Sequence, residues 1–202
     1  MAMKFPFKLP FLKKEEFRED KPRSGFFSKL YLTQKQRYSI LKWALYALVL
    51  IVLSVVQDVL LSRWRIFGTT TELVPCGIFL TVVAEGLESG SVFSLVAACC
   101  YVFSGSAGGN YAIVFITALS VAATFFRQSY LRKGFNASML CVALSVLLYQ
   151  LAVFFIAVFL DLTTFSRITA HLISAAMTLV SAPILYPIVG GIHTIGGDTW
   201  KE

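Results

Sequence analysis

The sequence predicts an all-α, polytopic membrane protein of about six transmembrane helices, with both termini in the cytoplasm. Three observations lead there. Between Trp43 and Ile192 the chain is a succession of apolar runs with almost no charge inside them. The stretch from Ala137 to Leu160 has no charged residue, and the stretch from Ile168 to Ile192 carries only His171. The composition agrees, with 57% hydrophobic residues, 14% charged residues and a mean hydropathy of +0.73. A water-soluble helix needs only one apolar stripe. A helix crossing about 30 Å of hydrocarbon needs roughly 20 mostly apolar residues.

The elements follow in order. Residues 1–32 read as a basic, mostly irregular tail, interrupted by Pro6, Pro10 and Pro22. Residues 33–202 form the transmembrane helical domain. Thr33–Gln34–Lys35–Gln36 fits a capping box, so a helix starts there. It leads into span one, about Ile40 to Leu61, which serves as an uncleaved anchor. Span two opens after Glu72 with Pro75 in its first turn, where a missing N–H is harmless. It runs to about Ala84. Glu85–Gly86–Leu87–Glu88–Ser89–Gly90 reads as a tight turn. Span three is about Ser91 to Phe103, and an uncharged loop follows from Ser104 to Asn110. Span four is about Tyr111 to Phe126, with Arg127, Arg132 and Lys133 in the next loop. Span five is about Ala137 to Leu160. Span six starts after a short loop, Asp161 to Arg167, and its far end carries Pro183 and Pro187, which bend it. Spans two and three are short, and either borrow loop residues or form a re-entrant pair.

Charge sets the orientation. Eleven Lys and Arg lie between Met1 and Lys42, and with four acids among them this segment carries the whole net charge of +7. With the amino terminus inside, fifteen Lys and Arg face the cytoplasm and three face out, namely Arg63, Arg65 and Arg167. Beside a span, a basic tail in which Lys4, Lys8, Lys13 and Lys14 alternate with Phe5, Phe7 and Phe11 suits anionic lipid rather than nucleic acid.

Function classes narrow from the same residues. The four cysteines, Cys76, Cys99, Cys100 and Cys141, lie in apolar runs without metal-ligand spacing. No HExxH, GxSxG or phosphate-binding loop is present, so no catalytic, metal or cofactor residues are assigned. Asp58, Arg63, Glu72, Asp161, Arg167 and His171 gather at the outer ends of the spans and, with Pro75, make a candidate partner interface. Small residues make two helical stripes suited to close packing: Gly90, Ser94 and Ala98 on span three, and Ser174, Ala175, Thr178 and Ala182 on span six.

Several segments carry a resemblance. Leu60, Arg63 and Ile66–Phe67–Gly68 lead into Glu72–Leu73–Val74–Pro75. Glu85–Gly86–Leu87–Glu88–Ser89–Gly90–Ser91–Val92–Phe93 follows, then Ser104–Gly105 and Gly108–Gly109–Asn110–Tyr111. Together they resemble the bacterial rod shape-determining protein MreD family, over about 140 residues. That family often has an Asp near the end of span three, where this chain has Tyr101–Val102–Phe103. The resemblance implies a non-enzymatic subunit of the cell-elongation (rod) complex in the bacterial plasma membrane, without cofactors. Its implied partners are MreC, the actin-like MreB, the glycosyltransferase RodA and a class B penicillin-binding protein. The family's fold is similar to that of substrate-binding subunits of energy-coupling-factor vitamin transporters, which makes such a subunit the alternative reading. Span one lacks the Ala-x-x-x-Ala docking motif usual there, since Ala44 and Ala47 are three apart.

The topology is testable by reporter fusions. Fusions at Gly105 and Thr164 are expected to score as external, and those at Glu88 and Lys133 as internal. An external signal at Lys133 would overturn the charge-based orientation.

Overall fold

The computed structural model describes residues 34–61, 71–105, 107, 109–130 and 134–195. The basic tail, Arg63, Arg65, Arg132 and Lys133 lie outside them, as does the Thr33 side of the capping box. All regular structure among the described residues is helical: α1 Gln34–Val55, continued as a π-helix over Val56–Leu61, then α2 Leu73–Glu85, α3 Leu87–Phe103, α4 Tyr111–Tyr130, α5 Phe135–Phe159 and α6 Ile168–His193. A single 3-10 turn, Phe165–Arg167, precedes α6.

Among the described residues, four stretches are long and apolar enough to cross a membrane: Gln36–Val59, Tyr111–Tyr130, Phe135–Phe159 and Phe165–His193. The apolar helices α2 and α3 are shorter, at 13 and 17 residues. At 1.5 Å per residue α2 spans only about 20 Å. It is also the enclosed helix. Every residue from Leu73 to Glu85 except Ala84 is buried, because α2 packs against all five other helices. A helix that is apolar all round has no face suited to water and belongs inside.

The outer helices are built the other way round from those of a soluble protein. Their large apolar side chains face outward: Ile51 and Val55 on α1, Val92 and Val96 on α3, Val114 and Phe125 on α4, and Val180 and Ile184 on α6 are all exposed. Their buried positions include many small or hydroxylated residues, among them Ser94, Ser120, Thr124, Ser145, Ser174 and Thr178, beside larger ones such as Tyr46, Ile116, Tyr149 and Phe154. Thr124, Ser145 and Thr178 return their hydroxyls to the backbone carbonyl four residues earlier, at 2.7, 2.9 and 2.8 Å. That arrangement suits lipid outside, where association depends on close backbone approach and internal hydrogen bonds.

The helix ends have local causes. The turn between α2 and α3 is Gly86 alone, not the six residues from Glu85 to Gly90 that the sequence suggested. Gly86 has φ 96° and ψ −177°, a conformation that is essentially glycine-only, so one residue reverses the chain and Leu87–Gly90 already belongs to α3. The C-terminus of α5 closes as a Schellman motif. Leu162 N–H donates to Ala157 O at 2.9 Å and Asp161 N–H to Val158 O at 3.1 Å, with Asp161 at φ 55°, a conformation short polar residues tolerate. Arg127 is helical within α4 rather than a loop residue, since its side chain finds a partner on α2. α6 runs without interruption through Pro183 and Pro187.

Where α3 crosses α2, a Cβ on Gly90 would lie 2.9 Å from Val82 Cγ1 and 3.0 Å from the Val82 carbonyl oxygen. At Gly190 in α6 a Cβ would meet nothing within 4 Å. Gly90→Ala is therefore expected to destabilise the bundle by about 1–3 kcal/mol. Gly190→Ala is expected to be neutral or stabilising by up to about 1 kcal/mol. Unfolding measurements on both variants in bicelles check the contrast.

Candidate functional site

The polar side chains gather at the two ends of α2, and each group is assembled from several helices. At the Glu85 end a single carboxylate is shared. Glu85 is 6% exposed. Its Oε2 pairs with Lys42 Nζ of α1 at 2.6 Å. Its Oε1 accepts from the Tyr46 hydroxyl of α1 at 2.5 Å and from His193 Nδ1 of α6 at 3.0 Å, with Nδ1 carrying the proton. A buried carboxylate is tolerated where its lone pairs are satisfied. The Tyr46 ring packs in a triangle with Trp43 and Phe93, with ring centroids 5.8 and 5.9 Å from its own and 5.4 Å from each other. Nearby, the Arg127 guanidinium of α4 donates to the Val83 carbonyl. Val83 O is among the last four carbonyls of α2, which have no partner within the helix. A cation also suits the negative end of the helix dipole.

At the Glu72 end the orphan groups are amides. Val74 N–H donates to Gln57 Oε1 at 3.0 Å, and Glu72 N–H to Thr178 Oγ1 of α6 at 3.2 Å. Gln57 sits in the π-helical extension of α1, and its Nε2 donates to the Tyr101 hydroxyl of α3 at 3.3 Å. A π-turn shifts the register of the last turn, and such turns are frequent where side chains are aimed for a purpose. Here that side chain caps α2. Gln150 Oε1 of α5 meets His171 Nδ1 of α6 at 3.5 Å. The Gln150 amide faces the Glu72 carboxyl group, and Gln150 Nε2 and Glu72 Oε2 are both buried.

The residues named from the sequence divide between these places. Glu72 and His171 belong to the Glu72 cluster, and Pro75 is buried in the first turn of α2. Asp58 is exposed on the π-helical segment. Asp161 and Arg167 are exposed at the two ends of the α5–α6 connection, the first as the α5 terminator and the second at the start of α6. Arg63 lies outside the described residues. Gly90, Ser94 and Ala98 are buried on α3, and Ser174, Ala175, Thr178 and Ala182 on α6. Sequence reasoning did not single out Lys42, Tyr46, Glu85, Gln150 and His193 as members of sites. An amide inside an otherwise apolar run, as at Gln150, was the available signal.

No family model, curated protein or solved structure matches the chain.

The Glu85 cluster yields a stability prediction. Lys42→Met leaves a buried carboxylate without its cation and is expected to lower stability by about 3–5 kcal/mol. Lys42→Met combined with Glu85→Leu is expected to recover most of that loss, since two apolar groups replace the pair. A double-mutant cycle of unfolding free energies checks it.

Proposed function

We propose that this chain is a non-enzymatic integral membrane subunit of the bacterial cell-elongation (rod) complex, required for rod shape and peptidoglycan synthesis. In this reading it lies in the plasma membrane with six membrane helices and both termini in the cytoplasm. The Glu72 end of α2 then faces outward and the Glu85 end inward.

The observation that carries the reading is where the MreD-like residues fall. Glu72–Pro75 opens α2. Glu85–Gly90 joins α2 to α3 through Gly86. Gly109 to Tyr111 opens α4, with Ala112 N–H donating to Gly109 O at 3.1 Å. The resemblance is thus concentrated at the residues that set the ends and neighbours of the enclosed helix. Two further features support a scaffold. The polar groups of the bundle are largely spent on joining its helices. The outer faces of α1, α3, α4 and α6 present apolar surface to lipid or to other membrane helices. MreC, MreB, RodA and a class B penicillin-binding protein are the proposed partners, with anionic lipid at the basic tail. A second reading, a substrate-binding subunit of an energy-coupling-factor vitamin transporter, is favoured by one feature, the polar cluster around Glu72.

On the scaffold reading the chain copurifies with an MreC-like protein from its own organism, and its depletion turns elongated cells round. Asp58→Leu or Arg167→Leu, both at exposed positions, is expected to weaken that association without unfolding the bundle. Normal cell width after depletion, with a tightly bound vitamin in the purified protein, would replace the scaffold by the carrier.

A further inference from the structure

The Glu85 end of α2 carries more positive than negative charge. Glu85 brings one negative charge, and Lys42 already matches it at 2.6 Å. The Tyr46 hydroxyl and His193 occupy its other oxygen. Arg127 then adds a second cation, held against the Val83 carbonyl two residues before Glu85. Among the described residues the ion pairs are those of Glu85 with Lys42 and His193, so no carboxylate pairs with Arg127. The sequence around it offers none, since no acidic residue lies between Glu88 and Asp161. The negative end of the α2 dipole offsets only about half a charge.

The guanidinium also has hydrogen-bonding capacity to spare. It carries five N–H donors in a planar fork, and the Val83 carbonyl takes from one nitrogen, Nη1. Arg127 is only partly buried, and neither Nε nor Nη2 is among the sealed, unsatisfied side-chain atoms of the described residues. Both nitrogens are therefore reachable from outside the bundle. Arg127 stands three residues before the end of α4, about 5 Å along the axis. The rings at that end suit the headgroup level of a bilayer, where aromatic side chains collect. Tyr130, a neighbour of Arg127 on the helix surface at i+3, is exposed and packs against Phe126 with centroids 5.2 Å apart. Phe135, at the start of α5, is exposed as well, with its ring 4.8 Å from that of Tyr186.

A forked cation without a counter-charge, at headgroup level, has a definite complement. A phosphate diester brings one negative charge and oxygens that match the guanidinium fork in pairs. A soluble anion would need enclosing walls to stay at one cation, whereas a lipid is already held in place by the bilayer. We propose that Arg127 and Tyr130 hold the headgroup of one anionic phospholipid, Arg127 through paired hydrogen bonds to the phosphate and Tyr130 through its hydroxyl. The site is separate from the basic tail, and the inference does not depend on the rod-complex reading. In the orientation proposed above the lipid belongs to the cytoplasmic leaflet, whose surface is negatively charged.

The test uses the full chain in phosphatidylcholine nanodiscs that contain a trace of photoactivatable phosphatidylglycerol, with its diazirine near the headgroup. A parallel sample contains phosphatidylcholine with the same diazirine. Labelled peptides are mapped by mass spectrometry. Labelling of Phe126, Tyr130 and Phe135 is expected to be about fivefold greater with phosphatidylglycerol. Arg127→Gln is expected to bring that ratio close to one and to leave labelling of the basic tail as it was. Should Arg127→Gln fail to fold, Arg127→Lys, which keeps the charge and loses the fork, is expected to at least halve the ratio. Equal labelling by the two lipids, or a ratio unchanged in the Arg127 variant, would overturn the proposal. Loss of the preference on adding excess inorganic phosphate would assign the cation to a soluble anion and overturn the lipid. Because the readout is lipid contact, its failure leaves the association with an MreC-like protein untouched, and the reverse also holds.

Discussion

A short helix sealed inside an apolar bundle must find partners for the amides at its start and the carbonyls at its end, and neither water nor lipid can supply them. Every unsatisfied backbone group in such surroundings costs several kcal/mol. In this protein the constraint falls on α2, and its neighbours answer it. Gln57 and Thr178 accept from the amides at one end. Arg127 donates to Val83 O and Gly86 N–H to Val82 O at the other. Those side chains come from α1, α4 and α6, so satisfying α2 also fixes where three outer helices stand. Lys42, Tyr46 and His193 converge on Glu85 and tie α1 and α6 to the same point.

The rest of the architecture follows from having one enclosed helix. The outer helices pack on it with small and hydroxylated residues as well as large ones such as Tyr46 and Tyr149, and Gly90 lets the α3 backbone come against Val82. Many further bulky residues, such as Ile51, Val114 and Ile184, are left on the outside, where lipid accepts them without penalty. The two ends of α2 differ in character. At the Glu85 end the carboxylate is fully engaged, with a cation, a hydroxyl and an imidazole. At the Glu72 end the carboxyl group faces the Gln150 amide, and Glu72 Oε2 and Gln150 Nε2 are both buried.

Much of this was legible from the residues in order. The long apolar runs located α1, α4, α5 and α6 to within a few residues, because runs of that length have few alternatives in a membrane. The second helix was located as closely, but the start of the third was not. Glu85–Gly90 carries the turn signals of two acids, two glycines and a serine, yet only Gly86 turns, since the glycine-only conformation there suffices. Arg127 reads as a loop charge by composition but is helical, because its guanidinium caps another helix. The Glu85 cluster joins residues 39 and 108 positions apart, and no local pattern encodes such a meeting. Glu72 and His171 were recognised as charged or titratable groups near one end of the bundle. Their neighbours Gln150 and Tyr149 were not, since an amide or a tyrosine in an apolar run reads equally well as packing.

The central claim is that side chains of neighbouring helices satisfy the ends of α2. Hydrogen exchange of the full chain in lipid nanodiscs, resolved to single amides, tests it most directly. In an ordinary helix the first amides exchange early because they lack partners within the helix. Here Glu72 and Val74 N–H are expected to be protected like the middle of α2, and Gln57→Leu to release Val74 selectively. Exchange of both amides at the rate of the exposed connection between α5 and α6 would contradict the account.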